Sequence, residues 1–134
     1  MLVRCLVLAL VLFGSAPAAN ALDDDPYLFD LLKQPSYLSA WKAMLAGEHV
    51  PAWVSNYAKT FDGPSSPSKT VQVGGQAYLL GYVCKAHDCG DNQLHVLFSP
   101  NGSRAWGLLV TGRQRRWLAK PDAAIQAAIQ SNLE

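Results

Sequence analysis

The 134-residue chain predicts an α+β fold, and three observations carry that expectation. Its first half places apolar residues at helical spacing, its second half strings short apolar runs between turn signals, and its end returns to helical spacing. Strands joined by short turns are antiparallel. The expected architecture is therefore an antiparallel sheet of about five strands in a meander, with helices packed on one face.

The elements follow in order. Pro26 suits the first turn of a short helix, "PYLFDLLKQ", with Asp24 or Asp25 placed to cap it. Pro35 opens a second, "PSYLSAWKAMLAG", whose Leu38, Trp41, Met44 and Leu45 share one face and whose Gly47 supplies the stop. Pro51 opens a third, "PAWVSNYAKT", with Trp53, Val54 and Tyr57 at the same spacing. Trp41, Trp53 and Tyr57 are expected in the core, where aromatic side chains bury the most area. "DGPSSPS", residues 62–68, reads as a plain connecting loop. Strands are expected in "KTVQV", "QAYLLGYVC", "QLHVLFS", "RAWGLLVT" and "RQRRWLA". Gly74-Gly75 and Asn101-Gly102 mark turns, since these residues tolerate positive φ. A closing helix, "PDAAIQAAIQSNL", begins at Pro121, with Leu118, Ile125 and Ile129 expected on its inner face.

The ends and the charge bound the function. Arg4, the apolar run Cys5–Phe13 and the small-x-small site Ala19-Asn20-Ala21 form the three parts of a secretory signal peptide. Cleavage is expected after Ala21, with Ala18 as the alternative site, leaving a single domain over 22–134. Cys5 sits inside the apolar run without a lipoprotein lead-in. The whole chain has 11 Lys and Arg against 10 Asp and Glu; loss of Arg4 leaves ten against ten. That balance excludes the basic excess on which nucleic-acid binding depends. No second segment approaches membrane-spanning length, so no membrane anchor is expected.

The chemistry concentrates in "YVCKAHDCG", residues 82–90. An exported chain keeps Cys84 and Cys89, and an oxidising compartment favours their pairing. Closing so short a ring would remove about 2 kcal/mol of unfolded-chain entropy. Three readings compete. A zinc site would draw on Cys84, His87 and Cys89 but lacks an evident fourth ligand, His49 and His95 being poorly placed. Thiol exchange normally uses two intervening residues at a helix N-terminus, and here there are four in a hairpin. The third reading is a rigid loop presenting Lys85, His87 and Asp88, with Asp88 placed to orient the imidazole. Ser99, Ser103 and Asp91 lie near in sequence, but no nucleophile or metallohydrolase motif surrounds them. No enzyme activity and no cofactor are expected.

"CKAHDC" between "LLGYV" and "LHVLFSPNGSRAWGLLV" resembles the Ivy family, the periplasmic inhibitors of vertebrate (C-type) lysozyme. The similarity extends to the signal peptide, to "DPYLFDLL" and to "WVSNY". The resemblance implies a bent antiparallel sheet, a homodimer and a periplasmic location. It also implies a Cys84–Cys89 bridge and an inhibitory loop of Cys84, Lys85, Ala86, His87, Asp88 and Cys89, with His87 as the key residue inserted into the enzyme's cleft. The implied partners are C-type lysozyme and the lytic transglycosylases that handle the same glycan. The family's usual residue at Ala86 is proline, and alanine leaves that turn less constrained. The rival from another class is a small periplasmic metal-binding or redox protein using the same cysteines and histidine. A third is a peptidoglycan-binding module without inhibitory activity.

Overall fold

"LHVLF" and "AWGLLV" carry apolar residues at both parities, which suits strands covered on both faces. The structure, a computed structural model describing Gly14 and residues 25–133, shows that arrangement. The expected signal peptide, Gly14 aside, and its cleavage site lie outside those residues. Five antiparallel strands form one bent sheet in the order β1-β2-β3-β4-β5. They are β1 Ser65–Val73, β2 Gln76–Cys84, β3 Asn92–Phe98, β4 Ala105–Thr111 and β5 Gln114–Leu118. The helices are α1 Leu28–Leu31, α2 Pro35–Leu45, α3 Ala52–Ser55, α4 Tyr57–Thr60 and α5 Ala123–Gln130.

The expected helical layer on one face consists of α1 to α4. Leu28, Leu31, Trp41, Met44, Val54 and Tyr57 pack there against Val83, Leu94, Val96, Phe98 and Leu109. Trp41 and Tyr57 are buried and meet at 5.9 Å between ring centroids. The closing helix α5 lies across the opposite face, where Ile125 and Ile129 cover Leu80, Leu97, Trp106 and Leu108. Asp122 caps it by accepting from the Ile125 N–H at 2.9 Å.

Three segments depart from their sequence expectation. Residues 65–68 are not loop: β1 begins at Ser65 and carries an irregularity between Ser66 and Lys69. Pro67 is tolerated because β1 is an edge strand and the irregularity removes the need for its N–H. Pro26 and Tyr27 do not open the first helix but run extended beside that edge. The Ser68 N–H donates to the Pro26 carbonyl at 3.0 Å, and Tyr27 pairs with Pro67. The third expected helix is broken at Asn56 into two single turns, α3 and α4. Ser55 and Asn56 are residues whose short polar side chains compete with the helical backbone.

The turns set which loops share an end of the sheet. Gly74 and Gly75, at φ +56° and +77°, join β1 to β2, and Gly112, at φ +58°, opens the β4–β5 turn. Asn101 and Gly102 take positive φ as expected, but within a longer connection closed by Ser99 and Arg104. Because β3 spans roughly 20 Å at strand rise, its two ends are well separated. Residues 62–64, 85–91 and 111–113 cluster at one end, and Ser99 with Ser103 closes the connection at the other.

Gly63 locks the first of these clusters. Its φ is +123°, and a Cβ there would come within 2.3 Å of the Cys84 carbonyl oxygen. Gly63→Ala is expected to lower stability by about 2–4 kcal/mol through strain and steric conflict. Urea denaturation of the variant measures it.

Candidate site: a stapled turn at the end of the sheet

The β2–β3 hairpin ends in a closed ring. Cys84 and Cys89 are joined by a disulfide with Cα atoms 4.9 Å apart. Cys84 is buried, and its N–H donates to the Pro64 carbonyl at 3.0 Å, so the base of the ring is tied to the segment entering β1. The Lys85 N–H continues the ladder to the Asn92 carbonyl at 3.0 Å.

Above that base the chain makes a tight turn. The Asp88 N–H donates to the Lys85 carbonyl at 3.0 Å. Among residues 85–88 only His87 has positive φ, at +65°. That combination is a type II turn, with Ala86 second and His87 third. The third position favours glycine, so holding an imidazole there costs on the order of 1 kcal/mol. Lys85, His87 and Asp88 are all exposed. The turn therefore displays a cation, an imidazole and a carboxylate from its first, third and fourth positions, with Ala86 half-buried at the second.

Hydrogen bonds support the ring from behind. Asn92 donates its N–H to the Asp88 carbonyl at 3.1 Å and its Nδ2 to Asp88 Oδ2 at 2.8 Å. Gln93 Nε2 donates to the Cys89 carbonyl at 2.9 Å. The Gly112 N–H donates to the Asp91 carbonyl at 2.7 Å, fastening the β4–β5 turn to the same loop. The Asp88 carboxylate is thus engaged by Asn92. Among the described residues no bond from it to the His87 ring occurs, so the expected orienting role is taken by the backbone turn.

The other sequence candidates are not part of this cluster. Ser99 and Ser103 bond to each other at 2.7 Å, and Ser99 Oγ accepts from the Arg104 N–H at 2.8 Å. They close the connection at the far end of the sheet. His49 follows α2, and its carbonyl accepts from Arg116, which also pairs with Glu48 at 3.5 Å. His95 lies in the middle of β3 on the α5 face, tilted against Tyr82 at 5.1 Å. Among the described residues no three His, Cys, Asp or Glu side chains are grouped to hold a metal. Both loop sulfurs are committed to the disulfide, which leaves no thiolate to ligate one.

His95 is the histidine the sequence undervalued. Burial, then the charges of Arg115 and Lys69, lower its pKa to about 4. Its folded pKa lies below the unfolded value of about 6.5, so the unfolded chain binds the extra proton first. The associated stability is present above about pH 6.5 and is lost as pH falls toward 4.

Two predictions come from this geometry. The Ala86 N–H has no hydrogen-bond acceptor among the described residues, and the second position of a type II turn favours proline. Ala86→Pro should therefore stabilise the protein by about 0.4–1 kcal/mol in urea denaturation. His95→Gln should flatten the acid limb of the stability profile: wild type loses more stability than the variant between about pH 7 and pH 4.5, measured by denaturation at each pH.

Comparison with known proteins matches most of the chain. A family model described as "Inhibitor of vertebrate lysozyme (Ivy)" matches residues 36–134. An inhibitor of vertebrate lysozyme from Pseudomonas aeruginosa is 37% identical over 145 residues, covering 96% of this chain and 92% of that protein. An uncharacterised Yersinia pestis protein is 34% identical over 123 residues, covering 81% of this chain and 77% of that protein. An inhibitor of vertebrate lysozyme from Escherichia coli strain K12 is 33% identical over 105 residues, covering 78% of this chain and 61% of that protein. The matched stretch takes in the sheet and the stapled turn, and on these matches the chain belongs to the Ivy family, a family of inhibitors and not of enzymes.

Proposed function

We propose that this protein inhibits C-type lysozyme by seating the Lys85–Asp88 turn in the enzyme's catalytic cleft, with His87 as the inserted tip. The observation that carries the reading is the conformation of His87. An exposed imidazole is held in a glycine-favoured conformation at the tip of a covalently closed ring. Among the described residues the imidazole makes no hydrogen bond, ion pair or ring contact that would offset the backbone cost, and such local strain is a mark of functional positions.

The chemistry of the target explains the choice of side chain. A retaining glycosidase works with two carboxyl groups about 5–5.5 Å apart, one as acid and one ionised. An imidazole between them can donate to the ionised oxygen and accept from, or donate to, the other according to its own protonation. It also fills the space the sugar needs. Lys85 and Asp88 frame the tip and can meet polar groups at the rim. Because ring and turn are ordered before binding, association loses little loop entropy. Inhibition by occlusion follows without a chemical step. The proposal includes export by cleavage after Ala21 and a periplasmic site of action. It extends to lytic transglycosylases, whose clefts handle the same glycan.

Titration of lysozyme with the purified protein, repeated with a lytic transglycosylase, tests the reading and assigns the target. Undiminished lysis at a large excess of protein would remove lysozyme from the proposal. His87→Ala and His87→Gly should each weaken inhibition by about 2–4 kcal/mol, roughly 30- to 1000-fold. Glycine suits the backbone there, so His87→Gly should melt no lower than wild type. A variant that keeps full potency would place the critical contact elsewhere.

A further inference from the structure

The α5 face of the sheet is not fully covered. Two adjoining recesses of about 270 Å³ and 430 Å³ open on it, and both are walled by Gln93 and His95. The first extends past Tyr82 toward the β1 irregularity and Asn132. The second extends past Arg115 and Arg113 to Gly90, at the back of the stapled loop.

Among the described residues the lining has one sign of charge. Lys69, Arg113 and Arg115 contribute cations, and no described lining side chain is acidic. In a chain whose residues 22–134 carry ten basic against ten acidic side chains, that is a local concentration. Lys69 is already engaged, donating to the Asn132 carbonyl at 3.2 Å; of the two exposed guanidiniums that remain, Arg115 is the one whose charge acts on His95. A guanidinium takes a carboxylate through two parallel hydrogen bonds. Tyr82 and His95 supply aromatic surface on the other side.

We propose that this recess is a second ligand site, for a small carboxylate-bearing molecule. The carboxylate lies against Arg115 and His95, and the ligand's apolar face lies against Tyr82. The site is separate from the stapled turn and stands whether or not the inhibitor reading holds.

The imidazole gives the site a chemical signature. His95 Nε2 faces Gln93 Oε1 at 3.4 Å, an oxygen that can only accept, so the neutral ring keeps its proton there and leaves Nδ1 as an acceptor. A carboxylate at Nδ1 requires a second proton on the ring. Ligand binding and protonation are therefore coupled, with Arg115 and Lys69 opposing the proton and the ligand's charge favouring it. Among the described residues, the charged and titratable groups lining the recesses around the ring are Lys69 from β1, Tyr82 from β2, Arg113 from the β4–β5 turn and Arg115 from β5. Affinity should rise as pH falls from about 7 to about 5.5.

Long-range ¹H–¹⁵N spectra of the three histidine rings test this on the intact protein. The probes are N-acetylmuramate, N-acetyl-alanyl-alanine and neutral N-acetylglucosamine at constant ionic strength. The expected result is a saturable shift confined to His95 with a carboxylate probe, tightening about thirtyfold over that pH range, as the protonated fraction of a ring with pKa about 4 does. Arg115→Gln should weaken it about fivefold with an unchanged melting temperature. Response to the muramate alone assigns an acidic sugar, response to the dipeptide alone assigns a peptide terminus, and both are forms of the proposed site. No saturable shift with either carboxylate, an equal shift with the neutral sugar, or undiminished binding in Arg115→Gln overturns it.

Discussion

The structure turns on how the β2–β3 hairpin is closed. A disulfide pins the ends of the loop at Cys84 and Cys89, and the Pro64 carbonyl and Gly63 hold the Cys84 backbone from the side. Asn92 and Gln93 fasten the loop's carbonyls from within the sheet, and Gly112 reaches across from the next turn. Each of these contacts is modest, about 1 kcal/mol for an ordinary hydrogen bond and about 2 kcal/mol for so small a ring. Together they leave the backbone of Lys85–Asp88 one conformation, and that conformation sets His87 at an exposed corner.

Rigidity of this kind needs a rigid base, and the two-layer core provides it. The sheet is covered by α1–α4 on one face and by α5 on the other. β3 and β4 lie in the middle of the sheet, with neighbours on both sides. The stapled turn grows from the start of β3, the strand whose Leu94, Val96, Leu97 and Phe98 are fully buried. Force applied to the tip by a partner is transmitted into packed side chains rather than into a loose end.

The closed loop was legible in the sequence because two cysteines enclosing a histidine and paired charges within six residues are rare enough to stand out. The α2 face was legible because Leu38, Trp41, Met44 and Leu45 keep helical spacing over two turns. The β1 start was hidden by "PSSPS", whose composition signals loop; its strand character comes from pairing with Tyr82 and Val83, which no local pattern reports. The side taken by α5 was hidden for a related reason. A strand apolar at both parities requires cover on both faces, but not which helix supplies each. The conformation of His87 depends on the turn type, and a His at positive φ leaves no mark in composition. His95 drew no attention because one polar residue in a strand reads as an exception. Its meaning comes from Arg115 and Lys69, which the meander brings beside it from other strands.

The inhibitor account rests on ordering of the turn before it meets its target. The direct measurement is the inhibitory potency of the double variant Cys84→Ser, Cys89→Ser, with amide spectra confirming that the sheet and both helical layers are retained. The account predicts at least about a tenfold loss of potency, with spectral change confined to the neighbourhood of the loop. Full potency in a well-folded double variant would contradict it.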